Sequence, residues 1–285
     1  MGGAEATAPF LVLRALRFHS TLSMTVQRPR RHPPARRHVP CERSDGPEGA
    51  AQRAYEMTTA IDLAAEPYEF TLAPAHCALL IIDMQRDFLE PGGFGEMLGN
   101  DVSQLRGAIE PNRKLLAAWR AAGLSVLHTR EGHRPDLADL PPVKKIRGRS
   151  ATSIGDAGPM GRILVRGEAG HDIIPELYPE PGEPVIDKPG KGAFHATDLH
   201  AILQHQNVKQ LVVTGVTTEV CVNTTVREAN DRGYDCLVLD DCCGSYFPEF
   251  HDMGLKMIKA QGGIFGWVSS SESVIKALAS WSSTQ

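Results

Sequence analysis

From residue 77 onward the chain alternates short, wholly apolar runs with stretches of helical spacing. Residues 78–82 (ALLII) are apolar at every position and stop at Asp83. Residues 109–122 place Ile109, Leu115, Leu116 and Trp119 at helical intervals, with Gly123 as the stop. Residues 124–128 (LSVLH) read as a second strand, and residues 185–187, 211–214, 236–239 and 264–268 as four more. Helices are predicted between them over 197–206, 219–232 and 251–260, and a closing one over 271–279 with Ser270 or Ser271 as its cap. The polar, proline-bearing region 131–182 interrupts this rhythm. It holds at most a short strand at 163–165 and a helical turn near 173–177.

Strands that are apolar throughout are buried on both faces, so strands of this kind separated by helices predict a parallel sheet covered on each side. Right-handed crossovers then build a three-layer αβα domain, a doubly wound and mostly parallel sheet of six strands. In such sheets chemistry gathers beyond the C-terminal strand ends. That rule selects Asp83 after the first strand, Lys188 after 185–187, and Cys221 shortly after 211–214.

Charge separates the chain into two parts. The 285 residues carry a net charge of −4, too close to balance to argue for a nucleic-acid partner. Residues 1–56 nevertheless hold nine arginines, no lysine and five acids. Residues 28–40 (RPRRHPPARRHVP) are basic and proline-rich, with nothing to build a core from. We therefore expect a disordered extension over 1–65 and a folded domain over 66–285. Three readings of the extension compete: a transit peptide short of serine, a basic arm for an anionic surface, or sequence upstream of a true start at Met57, which the composition favours. No apolar run approaches the roughly 20 residues of a membrane span. Six cysteines, two of them adjacent at Cys242 and Cys243, make no disulfide framework in a chain this long, so a reducing cytoplasmic setting is expected. An organellar location follows only if the extension is a transit peptide.

The segment 211–227 (LVVTGVTTEVCVNTTVR) carries the strongest chemical signal. Gly215 breaks an apolar strand, a polar turn follows, and Cys221 falls at the opening of a helix. Helix-start N–H groups stabilise a thiolate and can hold an oxyanion. A cysteine there is also, more plainly, a small buried apolar residue. What raises it above that reading is its company. Asp83 is placed to take a thiol proton and pass it to a leaving nitrogen. Lys188 is placed to lower the thiol pKa and hold the aspartate.

Three segments, IIDMQRDF (81–88), DKPGKGAFHATDL (187–199) and GVTTEVCVNTTVREANDRG (215–233), resemble the isochorismatase-like cysteine hydrolases. The likeness spans roughly residues 78–278. It implies a six-stranded parallel sheet, an Asp83–Lys188–Cys221 triad, and an oxyanion hole from the backbone N–H groups of Thr217 and Cys221. It also implies a cis peptide between Val216 and Thr217. Within the family the likeness runs to the biuret-hydrolase branch, through HTREGHRPDLADLP (128–141), DCCG (241–244) and QGGIFG (261–266) among others. That branch implies release of ammonia from biuret, with Gln261 reading the ureido group and Gln85 and Phe88 lining the first-strand side of the pocket. Read from the residues alone, Gln261 is a helix-end residue before Gly262, and Phe88 a core residue. Two segments depart from that branch. Residues 245–250 (SYFPEF) are bulkier, so Tyr246 and Phe247 are expected to reshape the pocket. Residues 265–269 (FGWVS) resemble ureidoacrylate amidohydrolases instead.

The resemblance implies no cofactor. Glu131 and His133 have the separation of a metal-binding pair in another branch of the family, but no third ligand is evident nearby, so no metal is expected. Arg130, Glu131, His133 and Arg134 are expected to form a salt-bridged rim over the pocket. Vinyl-ether hydrolysis and a non-catalytic role are the rival functions. The resemblance further implies a small ureido substrate and a homotetramer. Phe250, Trp267 and Trp281 are placed either at subunit contacts or in the core.

Overall fold

The computed structural model describes residues 60–146 and 152–282. Six strands form the central sheet: β3 (Cys77–Ile82), β4 (Ser125–Glu131), β7 (Val185–Lys188), β8 (Gln210–Val216), β9 (Asp235–Gly244) and β10 (Trp267–Ser269). Their order is β10-β9-β8-β3-β4-β7, and every pairing is parallel. The remaining strands form two small antiparallel pairs, β1 (Ile61–Leu63) with β2 (Phe70–Leu72) and β5 (Ala157–Gly158) with β6 (Gly161–Arg162). The longer helices are α1 (Ile109–Ala121), α2 (Leu199–His205), α3 (Asn223–Asn230), α4 (Pro248–Gly263) and α5 (Ser271–Ser282).

The apolar runs behave as their composition requires. Successive strand side chains point to opposite faces, so β3 feeds two cores. Leu79 and Ile81 pack with Leu115, Trp119 and Leu278 of α1 and α5. Ala78, Leu80 and Ile82 pack with Leu203, Val226 and Ile258 of α2, α3 and α4. This is the expected three-layer arrangement.

The strand order also fixes the site. The chain runs outward from β3 through β4 to β7, then returns to the far side of β3 and continues through β8, β9 and β10. The reversal opens a crevice at the C-terminal ends of β3 and β8, where ligands bind in sheets of this class. Gly215 lets the two strands meet there. Its φ is +108°, and a Cβ on it would lie 2.0 Å from the Ile82 carbonyl oxygen.

The folded part begins earlier than expected. β1 pairs with β2, Leu63 is buried, and the Glu66 backbone exchanges hydrogen bonds with Val268 on edge strand β10. Residues 61–65 thus belong to the domain and shield its sheet edge. The rest of the expected extension, residues 1–59, lies outside the described residues. Among the described residues no helix is long and apolar enough to cross a membrane.

Candidate active site

The ends of β3, β4, β7 and β8 each deliver a side chain to the crevice. β3 ends before Asp83, whose φ of +51° turns the chain in a conformation that aspartate tolerates. Thr129 on β4 donates to Asp83 Oδ1 at 2.6 Å, and the Asp83 N–H bonds back to Thr129. Lys188 closes β7. Its ammonium lies 2.7 Å from Asp83 Oδ2 and donates to the carbonyls of Gly190 and Lys191 at 2.9 and 3.0 Å. Both side chains are wholly buried. Cys221 is 4% exposed and sits in a wide helical turn, Thr218–Val222, that leads into α3. Asn223 pins this turn, donating to the carbonyls of Thr218 and Gly254. The peptide between Val216 and Thr217 is cis.

The structure adds a residue that the sequence reading put elsewhere. Glu131 is not on a rim. β4 runs three residues beyond the expected His128 and carries Glu131, fully buried, into the centre of the site. Its Oε1 meets the Lys191 ammonium at 2.7 Å. Its Oε2 lies 3.8 Å from the Lys188 ammonium and accepts from the Cys221 thiol at 3.5 Å. Of the other expected rim residues, Arg130 pairs with Asp187 and Asp172, and Arg134 with Asp136. His133 is buried beside Asp139.

These charges set the resting protonation. Burial pushes the Cys221 thiol well up, with Lys188 and Lys191 opposing and the two carboxylates adding to the rise. Cys221 therefore rests as a thiol, and a nucleophilic role would require a proton acceptor beside it. Burial also pushes Asp83 up, against the pull of Lys188. Burial pushes Glu131 the same way, but Lys191 and Lys188 together hold it below the usual carboxylate range.

Oxygen or sulfur atoms of Asp83, Glu131 and Cys221 lie within 4.8 Å of one another, a grouping of metal-ligand type. The Lys188 ammonium lies against both carboxylates, so their charge is met by an ammonium already in place.

A cavity of about 210 Å³ opens above Cys221. It falls below the roughly 300–1,000 Å³ of drug-sized sites, which suits a small substrate. Phe88, Phe94, Leu98 and Tyr246 form apolar walls, and Glu131, Lys191, Glu219 and Cys221 supply polar groups. Val216 and Thr217 also line it, while Asp83 and Lys188 do not. Tyr246 is fixed by donating to the Phe88 carbonyl at 2.9 Å, over a Gly95 whose Cβ would lie 2.1 Å from the tyrosine oxygen. Tyr246 thus shapes the pocket as expected. Phe247 does not; it is exposed and its ring packs at a tilt against Phe250.

Two expected substrate contacts are corrected. Gln85 is buried and fully engaged with backbone. Its amide donates to the carbonyls of Glu131 and His171 at 3.0 and 2.9 Å, and its oxygen accepts from the Glu131 N–H at 2.7 Å. It holds the end of β4 instead of touching a substrate. Gln261 is exposed, with φ of +53°, in the turn from α4 to β10. That turn lies level with the start of β9, where Trp267 pairs with Leu237, whereas Cys221 follows the end of β8. Gln261 does not line the cavity above Cys221. Trp267 packs edge-on against Phe70 and Tyr68, and Trp281 is half-buried.

A sequence profile described as the isochorismatase domain matches residues 77–273. A cysteine hydrolase from Pseudomonas syringae pv. phaseolicola 1448A is 26% identical, with a TM-score of 0.61 over 74% of this chain and 95% of that one. An isochorismatase family protein from Desulfovibrio vulgaris subsp. vulgaris str. Hildenborough is 28% identical, with a TM-score of 0.60 over 72% and 98%. An N-carbamoylsarcosine amidase from Thermoplasma acidophilum shares the fold at 24% identity, with a TM-score of 0.53 over 69% and 96%.

Proposed function

Since the chain belongs to the isochorismatase-domain family, and since a thiol, two carboxylates and two ammonium groups meet at the end of its sheet, we propose that it is a cysteine amidohydrolase. It cleaves the C–N bond of a small ureido compound and releases ammonia, with biuret, giving allophanate, as the substrate the site suits best. The observation that carries this reading is Cys221 at the floor of a small cavity, hydrogen-bonded to a buried carboxylate that Lys191 and Lys188 keep ionised.

The chemistry follows from the groups present. The thiol gives its proton to the buried carboxylate pair, and the sulfur attacks a ureido carbonyl. The N–H groups of Thr217 and Cys221 hold the oxyanion. The C–N bond breaks as the nitrogen is protonated and leaves as ammonia. Water then attacks the Cys221 thioester, and the C–S bond breaks to give the carboxylated product. Asp83 and Lys188 supply the fixed charges around the sulfur. The reading includes no cofactor.

Charge in the cavity favours a neutral substrate. Lys191 is already paired with Glu131, and Glu219 adds an unmatched acid, one oxygen of which is buried without a hydrogen-bond partner. A ureido group offers N–H donors to such an acceptor, whereas a substrate carboxylate is repelled. Ureidoacrylate and N-carbamoyl amino acids are therefore the second choice. Vinyl-ether hydrolysis of a dianion fits less well, because among the described residues no arginine lines the cavity.

The reading extends to assembly and setting. Phe250, Met253 and Met257 form an exposed apolar row along α4, which supports a homo-oligomer, a tetramer by family resemblance. The five described cysteines are all unpaired, in keeping with a reducing cytoplasm.

Ammonia release from biuret, ureidoacrylate and N-carbamoyl amino acids by the wild type and Cys221→Ala tests the proposal. Turnover of biuret above the others, abolished in Cys221→Ala, is expected. Turnover that survives the substitution, or no ammonia from any substrate, would overturn it.

A further inference from the structure

Two of the cavity's charged groups gather at Cys221, and most of its wall is apolar. We propose that its substrate class is wider than biuret and includes ureido compounds with an uncharged alkyl or aryl group on the nitrogen farthest from the bond that breaks. Such a compound sets its ureido head at Cys221 and its tail against the walls. This rests on the amidohydrolase reading above.

Three observations converge. First, Glu131 Oε2 lies 3.5 Å from the Cys221 sulfur, and Glu131 Oε1 lies 2.7 Å from the Lys191 ammonium, so charge is concentrated where the head reacts. Second, Phe88, Phe94, Leu98, Val216, Val220 and Tyr246 all line the cavity. Tyr246 offers its ring and not its hydroxyl, because the hydroxyl donates to the Phe88 carbonyl at 2.9 Å. Third, Leu98 lines the cavity while remaining 44% exposed, so apolar surface on its open side is there for a tail to cover. Glu219, the other charged group of the lining, is left to accept a ureido N–H.

Biuret is polar along its whole length. It supplies the head and leaves the apolar walls uncovered. An alkyl tail gains about fourfold in affinity for each methylene that the walls take from water. A butyl group with half its length covered therefore gains at least about tenfold. A charged tail is refused by the same walls, since an ion loses its hydration there.

The bonds balance as they do for biuret. With 1-butylbiuret the Cys221 sulfur bonds to the carbonyl carbon that carries the unsubstituted NH2 group. That C–N bond breaks, and the thiol proton leaves with the nitrogen as ammonia. Water then attacks the thioester. Its hydroxyl stays on carbon and its proton returns to sulfur as the C–S bond breaks. The product is N-butylallophanate, and the tail takes no part in the chemistry.

The test uses the full chain with biuret, 1-butylbiuret and 1-(2-methoxyethyl)biuret, whose tail matches butyl in length with one methylene replaced by oxygen. Ammonia release from 1-butylbiuret is expected at a KM at least about tenfold below that of biuret, with the ether between the two. In Leu98→Ser, a change at an exposed position, the butyl advantage should narrow by at least about threefold. Equal KM values for 1-butylbiuret and biuret, an advantage that Leu98→Ser leaves intact, or turnover of biuret alone would each overturn the proposal and leave the amidohydrolase reading standing. No ammonia from any of the three compounds removes both.

Discussion

Gln85 and Glu131 are joined through backbone and side chain at once. The Gln85 oxygen accepts from the Glu131 N–H at 2.7 Å, and the Gln85 amide donates to the Glu131 carbonyl at 3.0 Å. A third bond, to the His171 carbonyl at 2.9 Å, ties both to the loop below. In effect a side-chain amide extends the sheet where β4 would otherwise end.

Gln85→Ala leaves one buried N–H and two buried carbonyls without partners. Each such group costs about 1–3 kcal/mol, so a loss of roughly 3–9 kcal/mol is expected. Urea denaturation measures it, and turnover should fall too as the Glu131 carboxylate loses its fixed position. A variant as stable as the wild type would show that the clamp does nothing.

Glu219 lines the pocket with one oxygen buried and, among the described residues, without a hydrogen-bond partner. Glu219→Gln should weaken biuret binding about tenfold, the effect of losing one hydrogen bond to a charged group. The same change removes a repulsion, so N-carbamoyl amino acids should bind better. Steady-state kinetics on both substrates reads the two shifts. Parallel changes on the two would exclude a charge-based choice.

Glu183 supplies a pH-dependent tie far from the chemistry. Burial alone would push its carboxyl up, but bonds from Arg120, the Glu180 N–H and His128 hold it at about 2. A depressed carboxyl stabilises the fold above its unfolded value of 4.5 and stops doing so as the pH falls through about 2. Wild type should therefore be more stable than Glu183→Gln near neutrality, with the gap closing across that acidic window. Urea melts through the window measure the gap, and one that did not narrow would exclude the linkage.

How much of this was legible in the sequence depended on polarity. β3 and β8 are apolar along most of their length and were readable, and so were the residues just beyond them, Asp83 and Cys221. β4 was read short because Thr129, Arg130 and Glu131 are polar. They are polar because they serve the site: Thr129 binds Asp83 and Glu131 binds the thiol. The chemistry thus masked the strand that carries it. Gln85 was misread for a related reason. A buried amide that spends its bonds on backbone has no periodic signature and looks like a substrate contact. Gln261 was misplaced although the fold rule had the answer. In a parallel sheet a crossover helix leaves one strand's C-terminal end and finishes at the next strand's beginning, so the end of α4 had to face away from the crevice. The start of the folded domain was set too late because a three-residue strand such as β1 is too short to show a period.

The return of the chain past β3 has a consequence for biosynthesis. Asp83 and Glu131 lie in the first half of the fold, Lys188 on its far edge, and Cys221 on the strand-to-helix turn that follows the reversal. A nascent or truncated chain lacking the returning half holds the acids without the sulfur. One that has not docked β7 holds the sulfur without its ammonium. The Cys221 sulfur therefore meets its buried acid and ammonium neighbours only when the sheet is complete.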